Sequence, residues 1–196
     1  NELTMKVLLI NGSPHKTGCT HTALNVIAEQ LHAQGIETEE LWCGVKPVMG
    51  CIGCGKCKDT KRCWYDGDGV NEFLAKVPEV DAFVFGSPIH FAGTSGSIKP
   101  FMDRAFCSKM DMYAGKPGAA IVSCRRGGAQ GGFEDLNRYF TIACMPIVTS
   151  NYWNEVHGNK AEEVLQDEEG LQTMRVLGNN MAWLLKCIEL GKQAGL

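Results

Sequence analysis

The sequence predicts a three-layer α/β domain, a parallel β-sheet with helices on both faces. Three observations predict it. Five short apolar runs, rich in β-branched residues, alternate with helical segments, a pattern that right-handed βαβ crossovers turn into a parallel sheet. The inner runs are apolar at successive positions rather than at every second one, as strands buried on both faces are. No repeat, low-complexity tract or linker interrupts the 196 residues, so residues 1–196 are expected to form one domain around one core.

The run KVLLIN (6–11) opens the series and ends at Gly12. From Thr20 to Gln34, Leu24, Ile27, Ala28 and Leu31 stand at i, i+3, i+4 and i+7, the apolar stripe of an amphipathic helix. Gly35 follows where a helix stop belongs. IETEELW (36–42) alternates apolar with polar residues, which suits a strand nearer the sheet edge. VDAFVFGSP (80–88) is a further buried strand, followed by a loop and a helix from about Ser97 to Ser108. GAAIVSC (118–124) and MPIVTSNYW (145–153) complete the five, with a helix from Phe133 to Ala143 between them. The last helix, Asp167 to Leu190, aligns Leu171, Met174, Leu177, Met181, Leu184 and Ile188. That stripe suits burial against its own sheet better than a subunit contact.

Hydrophobic residues make up 44% of the chain and charged residues 21%, an ordinary globular composition. Lys and Arg number 19 against 22 Asp and Glu, a net charge of −3 that offers no footing for nucleic acid or an anionic membrane. No apolar run approaches the roughly 20 residues that span a bilayer, and the first residues lack a secretory cleavage pattern. Ten cysteines are many for this length. Without an export signal, and with a core that needs no staples, a reducing cytoplasm is the expected compartment. There a tight cysteine group points to metal or redox chemistry. Cys19, Cys43, Cys107, Cys124, Cys144 and Cys187 are scattered and read as free thiols.

Ligands of open α/β sheets sit at the carboxyl ends of the strands, and three loops there are suited to one. NGSPHKTGCTHT (11–22) is neither a dinucleotide fingerprint nor a P-loop. It is nevertheless rich in Gly, Ser and Thr and runs into a helix amino terminus, where amides and hydroxyls hold phosphate. Ser13, Cys19, Thr20 and His21 are the candidate donors; the plainer reading is a turn with Thr20 as helix cap. In GSPIHFAGTSGSIKPFMDR (86–104), Ser87 and Pro88 are expected to bend the chain, and His90 and Phe91 to border a flat ring unless Phe91 packs in the core. SCRRGGAQGG (123–132) has four glycines in ten residues, which let a backbone approach a ligand closely. The plainer reading there is a flexible turn with Arg125 and Arg126 in solvent.

With these three segments on the page, the chain resembles the flavodoxin-like NADPH-dependent FMN reductase superfamily. The resemblance runs through VLLINGSPHKTGCT, VFGSPIHFAGTSGSIKPFMDR and the Gly-rich loop to VHGNKAEEVLQDEEGLQTMRVLGNNMA, nearly the whole chain. It implies a five-stranded sheet of order 2-1-3-4-5 and bound FMN. The first loop, with Ser13, His15, Gly18, Cys19, Thr20 and His21, would hold the FMN phosphate. Pro88, Ile89, His90, Phe91 and Gly93 would line the isoalloxazine ring, with Ser123, Arg125, Arg126, Gly127 and Gly128 on its other side. The chain departs from the family at His15, often Arg, and at His90, often Tyr, where a ring stack would be weaker. No Ser–His–Asp or Cys–His set is present and none is required, because the flavin supplies the chemistry.

The remaining motif is CIGCGKCKDTKRC (51–63), inside an insertion at about 43–68. Its C-x2-C-x2-C-x5-C spacing matches the iron–sulfur flavoprotein branch of that superfamily. Three cysteines at steps of three turn their sulfurs inward around a cuboidal cluster, and a fourth completes the ligand set. Cys51, Cys54, Cys57 and Cys63 are thus candidate ligands of a 4Fe–4S cluster. Gly50, Gly53 and Gly55 relieve crowding, and Lys56, Lys58, Lys61 and Arg62 offset the charge of the thiolates or simply face solvent. Structural zinc, a disulfide or thiol switch, and a cluster-free loop are the alternatives. Cys43 is expected to lie outside the site.

The leading expectation is an FMN-dependent oxidoreductase passing electrons between a donor, NAD(P)H or ferredoxin, and a small-molecule or protein acceptor. A homodimer or homotetramer would bring the cluster loop of one copy near the flavin of another. The alternatives are a cluster-free NAD(P)H-dependent FMN or quinone reductase, and a non-enzymatic FMN-binding, zinc or thiol-based regulatory module.

Overall fold

The computed structural model describes residues 5–196; for residues 1–4 the expected domain lies outside the described residues. The elements run β1 (Lys6–Asn11), α1 (Cys19–Ala33), β2 (Glu37–Trp42), α2 (Cys57–Thr60), α3 (Val70–Lys76), β3 (Ala82–His90), β4 (Gly93–Thr94), α4 (Ile98–Lys109), β5 (Gly118–Cys124), α5 (Ala129–Ile142), β6 (Glu155–His157), α6 (Ala161–Val164) and α7 (Glu168–Gln193). The sheet order is β2-β1-β3-β5-β6, every neighbour parallel. The two-residue β4 lies antiparallel on the tip of β3. With β4 set aside, this is the expected five-stranded flavodoxin-like order.

The two-residue period of a strand divides the core into two layers. Leu8, Ile10, Phe83, Phe85, Ala120 and Val122 face one side, under α3, α4 and α5. Val7, Leu9, Ala82, Val84, Ala119 and Ile121 face the other, under α1 and α7. Met174, Leu177 and Met181 of α7 are buried in this second layer, so the stripe does cover its own sheet. α7 comes close to α1 at Gly178, where a Cβ would stand 2.8 Å from Gln30 Cβ.

The fifth strand is shorter and later than its apolar sequence suggests. At 145–153 only one bridge forms, Ile147 to Gly118; the strand itself is Glu155–His157. The chain leaves the sheet in between, and Asn154 closes the gap by donating Nδ2–H to Ala120 O at 3.0 Å while its own carbonyl accepts from Val122 N. Tyr152 and Trp153, which read as strand core, are about half exposed on the resulting loop. Two further boundaries differ. β3 runs through Ser87 and Pro88 to His90 rather than bending there, and α5 begins at Ala129 rather than Phe133. The short helices α2, α3 and α6 lie in stretches too brief for a periodic signal.

β2 forms the sheet edge and is only partly buried. There Glu39 accepts from Lys6 and Lys76, each at 2.6 Å, and the bond from Lys6, then that from Lys76, holds its carboxyl below the ordinary 4.5. A depressed carboxylate contributes stability that is present above its unfolded pKa and lost as pH falls through the folded one. Glu39→Gln is therefore expected to destabilise the chain by about 0.2–1 kcal/mol near neutral pH. In urea titrations the difference from the native chain should shrink as pH drops below about 4.

Candidate functional site

Parallel strands place the loops after β1, β3 and β5 on one rim, and the three are tied together there. Gly12 N–H donates to Gly86 O at 2.8 Å. Ser95 and Ser97 hydroxyls donate to Gly12 O at 2.6 and 3.2 Å, and Ser95 N–H donates to Ser87 Oγ at 2.9 Å. Thr20 and Ser123 share a hydroxyl bond of 3.0 Å between two buried side chains. The approach is tight enough to demand glycine at Gly86, where a Cβ would stand 2.7 Å from Thr20 Cγ2.

The first loop folds on itself before α1. Ser13 N–H donates to Asn11 Oδ1 at 3.0 Å, and His15 N–H donates to Ser13 Oγ at 3.1 Å. Gly18, not Thr20, is the helix cap position. His15 is exposed, and Gly18 and Cys19 are half-buried beside it. Burial pushes the Cys19 thiol up, and its Sγ donates to Gly158 O at 3.5 Å. His21 is turned to support: Nδ1 meets Glu40 Oε2 at 2.7 Å and Nε2 meets Asn25 Nδ2 at 2.9 Å. The depression beside this loop is lined by His15, Thr17, Gly18 and Cys19 and, from the segment after β6, by Asn159 and Lys160.

The second loop is a hairpin. His90 pairs with Gly93 across Phe91 and Ala92, whose φ angles are 51° and 61°. Positive φ at both central residues is the two-residue turn that matches strand twist, normally built from Asn and Gly; with Phe and Ala it carries backbone strain of order 1–3 kcal/mol per residue. The strain displays Phe91 fully in solvent, not in the core. Pro88, Ile89 and Gly93 are half-buried and His90 is exposed. Across from the hairpin, Arg125, Arg126, Gly127 and Gly128 are exposed and Ser123 is buried. Gly131 and Gly132 belong to the first turn of α5, where a Cβ would stand 2.8 Å from Ala92 O or 2.4 Å from Ile89 Cδ1. Those two glycines seat the hairpin.

The cysteine loop forms a separate, mainly apolar cavity of about 170 Å³, lined by Cys51, Cys54, Cys57, Cys63, Cys107 and Arg104 among others. All four candidate ligands thus meet at one space. Gly53 and Gly55 hold φ of 65° and 72°, the left-handed region that favours glycine. Cys51 and Cys54 are exposed, while Cys63 is anchored twice. Its N–H donates to Asn71 Oδ1 and its C=O accepts from Asn71 Nδ2, both at 3.0 Å, and its Sγ accepts from Arg104 Nε at 3.2 Å. Among the described residues no three His, Cys, Asp or Glu side chains converge as ligands of a metal ion. A cuboidal cluster carries one thiolate per corner iron, so its ligands stand farther apart than those of one ion. The donor set, the cavity and a fixed cation on one sulfur fit such a group.

Two residues at this cavity are not singled out by the motif. Cys107, which reads as a scattered thiol, lines it from α4; its carbonyl lies 3.7 Å from Cys57 Sγ. Burial, with Cys51 and Cys57 beside it, pushes the Cys107 thiol up to about 11. Arg104 ends the quoted segment 86–104 but reads as an ordinary helix residue, although it is only 2% exposed. A charged residue within an apolar helical stripe is the signal available in sequence. Cys43 is buried in the core, its thiol pushed to about 12, outside the cavity.

Fold and rim together define a flavodoxin-like α/β protein. Residues 5–160 match the family described as NADPH-dependent FMN reductase. An iron-sulfur flavoprotein of Methanocaldococcus jannaschii is 34% identical over 197 residues, covering 94% of this chain and 100% of that protein. Another, from Archaeoglobus fulgidus, is 35% identical over 130 residues, 64% of this chain and 63% of that protein. Among solved structures, a flavone reductase superposes with a TM-score of 0.74 at 19% identity, over 94% of this chain and 64% of that one. An archaeal flavodoxin does so at 0.62 and 16%, over 93% and 99%. The chain belongs to the NADPH-dependent FMN reductase family, on its iron–sulfur flavoprotein branch, and is an FMN-dependent oxidoreductase.

Proposed function

We propose that the chain is a two-centre electron-transfer flavoprotein, with FMN on the rim and a 4Fe–4S cluster in the cysteine cavity. The observation that carries this reading is the meeting of Cys51, Cys54, Cys57 and Cys63 at one cavity. FMN supplies two-electron chemistry when bound and the cluster one-electron chemistry, so together they connect a donor such as NAD(P)H or ferredoxin to a one- or two-electron acceptor. The protein's part is to bind and orient. The first-turn amides of Cys19 and Thr20 would hold the phosphate at the α1 amino terminus, with Lys160 as a neighbouring cation. Pro88 to Gly93 would line one side of the ring and Ser123 to Gly128 the other. The four cysteines would ligate iron. Free thiols throughout suit a reducing cytoplasm, and a homodimer or homotetramer would let the loop of one copy serve the flavin of another.

An absorption spectrum and metal analysis of protein purified without air test the reading. Flavin bands near ~450 nm with a broad shoulder near ~400 nm that bleaches on reduction are expected, with about four iron per chain. Flavin bands without iron would leave a cluster-free FMN or quinone reductase, and a colourless zinc-bearing protein would remove both centres.

A further inference from the structure

Arg104 is the largest fully buried side chain of the fold, and every one of its bonds reaches into the cysteine loop. Nε–H donates to Cys63 Sγ at 3.2 Å, Nη1 to Met49 O at 3.2 Å and to Asp68, and Nη2 to Tyr65 O at 2.9 Å. The guanidinium also lies over the Tyr65 ring, 5.2 Å from its centroid. Asp68 engages a single guanidinium nitrogen, Nη1, of a group with five N–H donors. The others fix the loop on both sides of Cys63 and place a permanent charge on that sulfur. Lys58, the other cation lining the cavity, is exposed and screened by water. Arg104, excluded from solvent, is screened far less.

We propose that Arg104 is a positioning residue of the metal centre: it presets Cys63 as a rigid ligand and, through its Nε–H···Sγ bond, raises the centre's reduction potential. The proposal rests on the two-centre reading above. Reduction adds negative charge to a centre that thiolates already make negative. A fixed positive donor on one sulfur stabilises the reduced form more than the oxidised one, so weakening it favours oxidation. The loop thereby divides into an anchored end at Cys63, held by α3 and α4, and an adaptable end at Cys51 and Cys54.

Arg104→Gln would leave Asp68 buried without a counter-ion and risks unfolding; Arg104→Lys keeps a charge for Asp68 but has no Nε–H for Cys63. In anaerobic redox titrations Arg104→Lys is expected to keep its FMN and the flavin midpoint. Its iron centre should shift toward oxidation by about tenfold in the one-electron equilibrium, roughly 59 mV. An iron-loaded Arg104→Lys protein with an unshifted midpoint overturns the proposal. A second measurement needs no substitution at Arg104. In Arg62→Lys protein labelled with 15N-arginine, pulsed EPR of the reduced centre is expected to show a 15N coupling, and its absence also overturns the proposal. Unsubstituted protein that takes up no iron would instead refute the two-centre reading itself.

Discussion

Cys54→Ala is expected to purify with its FMN and with little or no iron. Cys54 is exposed and contributes nothing to either core layer, so the fold has no reason to respond to its loss. On the two-centre reading, a cuboidal cluster deprived of one of four thiolates loses a ligand bond that water replaces poorly. Iron per chain should drop from about four to below one, and the broad shoulder near ~400 nm should vanish while flavin bands near ~450 nm persist. Iron content equal to that of the native chain would remove Cys54 from the ligand set. The comparison with Cys144→Ala, an exposed cysteine away from the cavity, controls for thiol loss as such.

The second large effect concerns the core. Phe73 of α3 is fully buried, with ring centroids 5.3 Å from Phe101, 5.9 Å from Phe83 and Phe85, and 6.4 Å from Tyr113. It is where a short helix between the cysteine loop and β3 enters the aromatic layer. Phe73→Ala is expected to cost about 3–5 kcal/mol, because transfer energy and an unfilled cavity add. That is a large part of the 5–15 kcal/mol typical of a domain. The midpoint of guanidinium denaturation should fall with little change in slope. A loss under about 1 kcal/mol would mean that the aromatic layer repacks around the gap.

The strands and the long helices were legible because their signals are local: Val7–Ile10 and Ala82–Phe85 are unbroken apolar runs, and α1 and α7 repeat at helical spacing. β6 was not, since the apolar run MPIVTSNYW draws the strand to 145–153, while the pairing is completed just after it by a polar side chain, Asn154. The loops were legible as a set, yet individual roles inside them were not. Thr20 looks like a cap and instead bonds Ser123 across the rim; His21, an expected phosphate donor, has a partner in Glu40 that spacing does not announce. Glycines 131 and 132 look like ligand clearance and instead clear the hairpin. Each of these partners is distant in sequence, and pairing at long range leaves no periodicity. The four motif cysteines announce themselves by spacing; Cys107 and Arg104 join them only through tertiary packing.

Helix α4 borders both the rim and the cysteine cavity. Ile98 packs beneath Gly12 on the rim, and Arg104 and Cys107 border the cysteine cavity six and nine residues later. At 1.5 Å per residue these lie about 9 and 13 Å down the helix, and one inserted residue would swing them by about 100°. The helix is therefore a ruler whose length cannot drift. Across relatives, insertions and deletions should be purged from residues 98–107.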